Sequence, residues 1–212
     1  MARKLARTLS PDGTLAARLV LASHNPGKLR EIADLLAPHA VELVSAADLG
    51  LPEPEETAPD FAGNARLKAL AAARASGLPA LADDSGICVN ALNGGPGVYS
   101  ARYAGEPKSD ARNNQKLVDM LRNQSDRGAH YYCVMVLVRH ADDPQPIIAD
   151  GAWHGQIILE PRGEGGFGYD PYFFLPDLRK TGAELPMEQK NQISHRGKAL
   201  ARLAECIREE TL

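Results

Sequence analysis

The sequence predicts an α/β fold with a mixed β-sheet. Apolar segments alternate with helical patterns in the first half of the chain, then apolar segments follow one another between residues 131 and 158. A helical pattern returns near the end of the chain. This order of elements is typical of an α/β protein whose sheet is mixed.

Length and composition are those of an ordinary globular chain. The 212 residues are 44% hydrophobic and 24% charged, which excludes a disordered chain, a coiled coil or a collagen-like chain. A chain of this length buries roughly 70% of its unfolded surface without a disulfide or metal. A net charge of −3 argues against a broad nucleic-acid-binding face but not against a local cationic pocket.

Cysteine usage and hydropathy favour a cytoplasmic protein. Cys88, Cys133 and Cys206 are far apart and form no CxxC pair, so we expect reduced thiols. No apolar run approaches the roughly 18 residues that a membrane helix needs. The basic N-terminus has no sustained apolar core typical of a signal peptide. We expect a flexible extension over residues 1–16 and a single domain over 17–212.

Each element is predicted from its local pattern. Short apolar runs predict strands over residues 18–22, 41–44, 80–82, 131–138 and 147–158, the last as two strands around a turn. Helical spacing of apolar residues predicts helices over 29–36, 61–76 and 109–121, with a last helix after Ser194. Gly77 is a typical helix end, and Ser109 or Asp110 and Ser194 are candidate N-caps.

A turn-rich hexapeptide lies where the first strand meets the first helix. Backbone N–H groups at such a helix start favour a phosphate, and Lys28 adds a positive charge. The other interpretation is an ordinary turn with a solvated lysine, and the Walker A spacing is missing. The candidate phosphate contacts are Ser23, His24, Asn25, Pro26, Gly27 and Lys28.

Adjacent carboxylates, Asp83 and Asp84, follow the third predicted strand directly. Two neighbouring carboxylates are costly unless a cation meets them, and α/β proteins bind ligands at strand ends. Mg²⁺ with a polyphosphate fits this pattern, although an acidic surface turn remains the alternative. A second carboxylate could come from the acidic loop, and the sequence does not choose among Glu53, Glu55 and Glu56.

Two later segments complete the candidate site. Residues 165–171 (GGFGYDP) combine glycines with aromatic rings, which suits close approach and stacking on a flat ligand. His195 and Arg196 lie at a predicted helix start, and Lys190 precedes His195 by five residues. The helix dipole disfavours cations at a helix start, and this conflict favours a functional role for them. An arginine there is suited to bidentate contacts with an anion or a base edge.

These segments, in this order, resemble the inosine triphosphate pyrophosphatase family, and within it the bacterial XTP/dITP pyrophosphatases. The resemblance extends from about residue 18 to about residue 207. It is carried by the stretches LVLASHNPGKLREIADLL, EETAPDFAGNARLKA, ALADDSGICVNALNGGPGVYSARYAG, GGFGYDPYFF and MEQKNQISHRGKAL. Each stretch alone is a weak signal, whereas the series is specific.

The resemblance implies a long central mixed sheet flanked by helices, with two lobes and an active site in the cleft between them. It implies a homodimer. It also implies Mg²⁺-dependent hydrolysis of dITP, ITP and XTP to the monophosphate and pyrophosphate, which would remove deaminated purines from the nucleotide pool.

The resemblance also implies roles for individual residues. Asp84 matches the metal ligand and proton acceptor, and Glu55 best matches the loop metal ligand, with Glu56 as the alternative. The hexapeptide matches the phosphate contacts, although His24 stands where glycine is common in the family. The remaining substrate contacts implied are Ser85, Phe167, Gly168, Tyr169, Asp170, Lys190, His195 and Arg196.

Two other functions remain open. A Maf-like nucleotide pyrophosphatase with another base preference would use similar metal chemistry, but the GFGYDP and SHRGKA stretches favour the first function. The second alternative is a nucleotide-binding regulator that has lost catalysis, and the intact set of Lys28, Glu55, Asp83 and Asp84 argues against it. A nucleic-acid-binding module fits worst, because the chain has no basic aromatic surface motif.

Overall fold

The computed structural model describes residues 7–9, 15–37 and 41–209. These residues form eight strands and five α-helices. The strands are β1 (Arg7–Leu9), β2 (Leu15–Leu21), β3 (Val41–Ser45), β4 (Ala80–Val89), β5 (Gly128–Val138), β6 (Ile147–Ile157), β7 (Phe173–Leu175) and β8 (Lys180–Thr181). The α-helices are α1 (Pro26–Leu36), α2 (Phe61–Ser76), α3 (Asp110–Leu121), α4 (Met187–Ile193) and α5 (His195–Glu209).

The strands form one mixed sheet, as the sequence predicts. Their order is β1-β2-β4-β5-β6-β7-β8, and β3 pairs with β2. Strand β2 runs parallel to β3 and β4, whereas β1–β2, β6–β7 and β7–β8 are antiparallel pairs. The prediction of an α/β fold is therefore confirmed, while an active site in a cleft between lobes stays a prediction.

The chain divides into two compact units, with boundaries inside β4, β5 and β6. The first unit comprises the residues up to Asp84, Val134–Asp150 and those from Ala199 onward. The second comprises Ser85–Cys133 and Gly151–Lys198. A buried core around Tyr131, Trp153 and Phe173 fills the second unit, with Leu117 and Leu121 of α3 packed into it.

Several element bounds differ from the sequence predictions. Strand β2 begins at Leu15, three residues early, and β4 continues to Val89. Two strands around a turn were expected over 147–158, because Asp150-Gly151 is a turn signal. That expectation is wrong: β6 is one continuous strand, and its long neighbour in the sheet is the 11-residue strand β5.

The predicted extension over residues 1–16 lies mostly outside the described residues. Within it, Arg7–Leu9 form β1 and pair with Leu15–Ala17. The flexibility of the extension and the single domain over 17–212 stay predictions. Among the described helices, none is both long and apolar enough to cross a membrane.

Helix ends follow the predicted capping chemistry. Asp60 is the N-cap of α2, and its side chain accepts a hydrogen bond from the Gly63 backbone N–H at 2.7 Å. Gly77 ends α2 with a left-handed φ of 70°, a conformation that favours glycine. Ser109 caps α3, and Ser194 Oγ accepts from the Gly197 N–H at the start of α5.

Removal of the α2 cap tests this account of the helix. We expect Asp60→Ala to lower the free energy of unfolding by about 1 kcal/mol, because the Gly63 N–H loses its partner. Urea unfolding measures the change. Asp142→Ala is the control, because the Asp142 side chain is exposed and its ion pair with Arg74 is long at 4.0 Å. We expect this substitution to change the free energy of unfolding by less than about 0.5 kcal/mol. Equal effects would contradict the capping role.

Candidate functional site

Parallel pairing of β2 and β4 places the adjacent carboxylates beside the hexapeptide. Leu21 lies opposite Leu81, and both chains continue past this pair in the same direction. The ammonium group of Lys28, in the first turn of α1, therefore reaches Asp83, with 3.1 Å between Nζ and Oδ2. The Asp83 side chain is fully buried, so this ion pair supplies the cation that the sequence pattern demands.

Lys68 of α2 neutralises the second carboxylate and a loop glutamate together. Its Nζ lies 3.1 Å from Asp84 Oδ1 and 2.9 Å from Glu56 Oε1. Asn64, one helical turn earlier, donates from Nδ2 to Asp84 Oδ2 at 3.4 Å. We call Lys28, Glu56, Lys68, Asp83 and Asp84 the carboxylate cluster; all five belong to the first unit.

Burial and charge oppose each other in this cluster. Burial raises the pKa of Asp84 above its ordinary value, although Lys68 and Lys28 partly offset the rise. Burial lowers the pKa of Lys68, but the carboxylates of Asp84, Asp83 and Glu56 outweigh it and leave that pKa raised. Lys68 therefore stays charged, and Asp84 becomes a better proton acceptor than an exposed aspartate.

The hexapeptide uses its side chains to build the helix start. Asn25 Oδ1 accepts from the backbone N–H groups of Gly27 and Lys28, at 2.9 and 3.2 Å. These are two of the donors that the sequence analysis assigned to phosphate. Ser23 is buried, and its Oγ accepts from the Asn25 N–H at 3.3 Å. The Lys28 ammonium is thus the clearest anion-binding group of the segment.

His24 ties the hexapeptide to the acidic loop. Its Nε2 lies 2.8 Å from the Leu51 carbonyl oxygen, which can only accept, so Nε2 carries the hydrogen. This bond holds the start of the loop that carries Glu53, Glu55 and Glu56. His24 therefore has a structural partner in addition to its predicted phosphate contact.

The loop glutamates differ in their surroundings. Glu56 is half-buried and forms the ion pair with Lys68, whereas Glu55 and Glu53 are exposed. Of the three glutamates, Glu56 is thus the one whose carboxylate lies beside Lys68, the lysine that also pairs with Asp84. This contact favours Glu56 over Glu55 as the candidate loop metal ligand, which reverses the order that the resemblance implies.

In the second unit, a phenylalanine ring lies beneath two cations. The Lys190 Nζ is 5.1 Å and the Arg196 guanidinium carbon 5.8 Å from the centroid of the Phe167 ring. Asp170 Oδ2 accepts from Lys190 Nζ at 2.6 Å and from the Phe167 N–H at 2.9 Å. We call Phe167, Asp170, Lys190 and Arg196 the aromatic cluster.

Close backbone packing fixes the loop that carries Phe167. Gly166 has a φ of 70°, and a Cβ there would lie 2.1 Å from Asp170 Oδ2, so only glycine fits. The Gly168 N–H donates to Asp110 at 2.9 Å, and its carbonyl accepts from Asn114 at 2.8 Å. Helix α3 therefore clamps the loop, a role that the sequence analysis missed.

The remaining predicted residues of this unit have defined partners. Arg196 is almost fully buried, and its Nη2 donates to Ser85 Oγ at 3.0 Å. His195, the first residue of α5, is also buried. Tyr169 is buried, and its hydroxyl donates to the Ser100 carbonyl at 2.7 Å, so its ring belongs to the core. The prediction that Tyr169 contacts substrate is untested.

Asn64 and Lys68 are the main functional candidates that sequence reasoning missed. Both lie on the buried face of α2, which otherwise carries alanines: Ala65, Ala69, Ala72 and Ala73. An asparagine and a lysine four residues apart on a face of small apolar residues are a usable signal, because buried lysines need an acidic partner.

Within the described residues, no group of three or more His, Cys, Asp or Glu side chains is placed to hold a metal ion. Mg²⁺ is commonly held by one or two carboxylates together with water and substrate phosphates. Asp84 and Glu56, which share the Lys68 ammonium, supply two hard oxygen donors of this kind. The residues present therefore fit a magnesium ion that completes its shell with other ligands.

The fold is that of an α/β protein, with paired lysines and carboxylates in the first unit and an aromatic cluster in the second. The family model described as Ham1 family matches residues 19–206. The structure of a HAM1 protein from Coxiella burnetii superposes with a TM-score of 0.83 at 46% identity, covering 91% of this chain and 98% of that chain. The chain belongs to the Ham1 family, which confirms the predicted relationship.

Two curated relatives are similar over nearly the whole chain. A dITP/XTP pyrophosphatase of Nitrosomonas europaea is 62% identical over 192 residues, which is 91% of this chain and 95% of that protein. A dITP/XTP pyrophosphatase of Ralstonia nicotianae is 61% identical over 194 residues, which is 90% of this chain and 96% of that protein.

Removal of the Lys68 charge tests the carboxylate cluster. The side chains of Lys68 and Asp84 are each 6% exposed, so Lys68→Met leaves buried negative charge without its counter-ion. We expect a loss of about 3 kcal/mol in the free energy of unfolding, measured in urea. Arg74→Met on the same helix is the control, because Arg74 is 67% exposed; it should cost less than about 0.5 kcal/mol. Similar losses would refute the pairing role of Lys68.

Proposed function

We propose that this protein is a nucleoside triphosphate pyrophosphatase that hydrolyses dITP, ITP and XTP to the monophosphate and pyrophosphate. The observation that carries the proposal is the carboxylate cluster, in which buried Lys68 and half-buried Lys28 neutralise Asp83, Asp84 and Glu56. The names of the relatives, dITP/XTP pyrophosphatase, support the substrate class. The activity would remove deaminated purine nucleotides.

The carboxylate cluster serves the triphosphate. Lys28 contacts phosphate oxygens and lowers their negative charge. Asp84 holds a water molecule and takes its proton as the water oxygen bonds to the α-phosphorus, and the bond from that phosphorus to the bridging oxygen breaks. Positioning and electrostatic stabilisation then supply most of the rate enhancement.

Mg²⁺ is the proposed cofactor, with Asp84 and Glu56 as the protein ligands. When bound, the ion neutralises the triphosphate and polarises the phosphorus. The Lys68 ammonium holds both carboxylates close to one nitrogen, which brings the two proposed ligands together. Glu55, the better match by resemblance, is exposed, and we therefore rank it second.

The aromatic cluster serves the purine base. The Phe167 ring offers a stacking face. The Lys190 side chain is 3% exposed and bonded to Asp170, so it is less accessible to a triphosphate than Lys28, whose side chain is 15% exposed. Arg196 and His195 are hydrogen-bond donors suited to the O6 atom of hypoxanthine or xanthine. Adenine carries an amino group at that position, and an unpaired buried donor there disfavours it strongly.

The resemblance also supports a homodimer in the cytoplasm that acts on small nucleotides, without nucleic-acid or membrane partners. Light scattering during gel filtration would give twice the mass of one chain for a dimer, and the monomer mass would contradict it.

³¹P NMR with Mg²⁺ and dITP, dATP or dGTP tests the proposed reaction. We expect pyrophosphate and dIMP from dITP, with dATP and dGTP almost unchanged. Orthophosphate as first product would mean that another bond is cleaved. Turnover of pyrimidine or modified nucleotides instead would favour the Maf-like function. Binding of dITP without turnover would favour the regulator.

Substitution of the proposed base gives a second test. Asp84→Asn keeps the shape of the side chain but loses the proton acceptor, so we expect kcat to fall at least about 100-fold. The circular dichroism spectrum and melting temperature show whether the protein stays folded. Near-normal turnover by a folded, Mg²⁺-saturated variant would exclude Asp84 as the base.

The loop ligand is tested by a matched pair of substitutions. Glu56→Gln and Glu55→Gln each remove one charge from the same loop. We expect Glu56→Gln to weaken Mn²⁺ binding about tenfold or more, because one of two protein carboxylates is lost, and Glu55→Gln to change it little. Electron paramagnetic resonance of free Mn²⁺ measures both without turnover. The reverse order would assign the ligand to Glu55.

A further inference from the structure

A buried aromatic stack fixes the plane of the His195 ring. The imidazole lies against Tyr131 of β5 with ring centroids 4.7 Å apart and planes 9° from parallel. Trp153 of β6 is nearly parallel to the same imidazole, with planes 12° apart and centroids at 6.3 Å. All three rings are buried in the second unit.

Phe173, the first residue of β7, braces this stack from the side. It meets Tyr131 at 62° with centroids 4.8 Å apart, and Trp153 at 56° with centroids 5.1 Å apart. Tyr131 therefore contacts both His195 and the fully buried ring of Phe173. Three neighbouring strands, rather than a loop, set the orientation of the imidazole.

The stack restricts one motion of His195 in particular. The close and nearly parallel packing against Tyr131 favours one plane of the imidazole over rotated ones. A neutral imidazole presents a donor at one nitrogen and an acceptor at the other. The plane of the ring sets the directions in which these nitrogens can form hydrogen bonds with a ligand.

We propose that Tyr131, supported by Trp153, is a positioning residue that holds the plane of the His195 imidazole, keeps its N–H directed at the purine O6 and thereby strengthens the preference for 6-oxo over 6-amino purines. This inference rests on the proposed function, because it assigns His195 to the purine O6. An imidazole released from the stack would lose this alignment, so the hydrogen bond that favours a 6-oxo purine would weaken.

Three variants on one strand test the proposal. Tyr131→Leu removes the stacking ring, Tyr131→Phe keeps the ring and removes the hydroxyl, and Tyr132→Leu removes a ring from the opposite face of β5. Tyr132 is half-buried and lies edge-on to His130, so it is a matched control away from His195. The measured quantity is the ratio of kcat/KM for dITP to that for dATP.

We expect Tyr131→Leu to lower this ratio about tenfold or more, because discrimination depends on an oriented donor. Tyr131→Phe and Tyr132→Leu should leave it within about threefold of wild type. A folded Tyr131→Leu protein with the wild-type ratio would overturn the proposal, even if it melts at lower temperature. If Tyr131→Leu does not fold, Tyr131→Met fills the volume without a ring and replaces it in the test.

Proton NMR of the His195 ring supplies a readout independent of turnover. We expect upfield ring-current shifts of its C–H protons in wild type and Tyr131→Phe, and their loss in Tyr131→Leu. Unchanged shifts in Tyr131→Leu would show that Tyr131 does not hold the imidazole, which overturns the proposal. Wild-type protein that does not hydrolyse dITP, or does not prefer it to dATP, would instead overturn the proposed function and the specificity role together.

Discussion

The Lys68 ammonium lies between Asp84 and Glu56, and the carboxylate cluster depends on this one contact. Buried carboxylates repel each other, and each loses its hydration. The lysine offsets both costs, since it touches two carboxylates and lies near a third, Asp83. The part of the desolvation cost that the lysines do not offset remains as a raised pKa of Asp84.

The two clusters differ in chemical character. Asp84 ends the first segment of one unit and Ser85 begins the other unit, so these adjacent residues of β4 have partners in different units. Asp84 contacts Lys68, whereas Ser85 accepts a hydrogen bond from Arg196. Charge dominates the carboxylate cluster, and aromatic packing dominates the other.

Rigid elements support the residues that would read the base. His195 stacks on a ring from β5, and Gly168 is clamped by side chains of α3. Selectivity for one hydrogen-bonding pattern requires donors that hold their direction. A loop alone would orient them poorly, which explains why the aromatic core of the second unit extends up to His195.

Local patterns predicted much of this protein. The bounds of α2, its glycine end and the serine cap of α3 follow from propensity and capping, because those forces act within a few residues. The continuous β6 was mispredicted, because pairing with its neighbours overrides the Asp150-Gly151 turn signal.

By itself, the sequence determined the mixed α/β fold class, the candidate segments and the adjacent carboxylates Asp83 and Asp84. Tertiary structure decided which groups meet. It paired Lys68 with Asp84 and Glu56, used Asn25 as a helix cap, and neutralised Lys190 with Asp170. The physical reason is that partner choice depends on distances between residues far apart in the chain, and burial then determines the strength of each interaction.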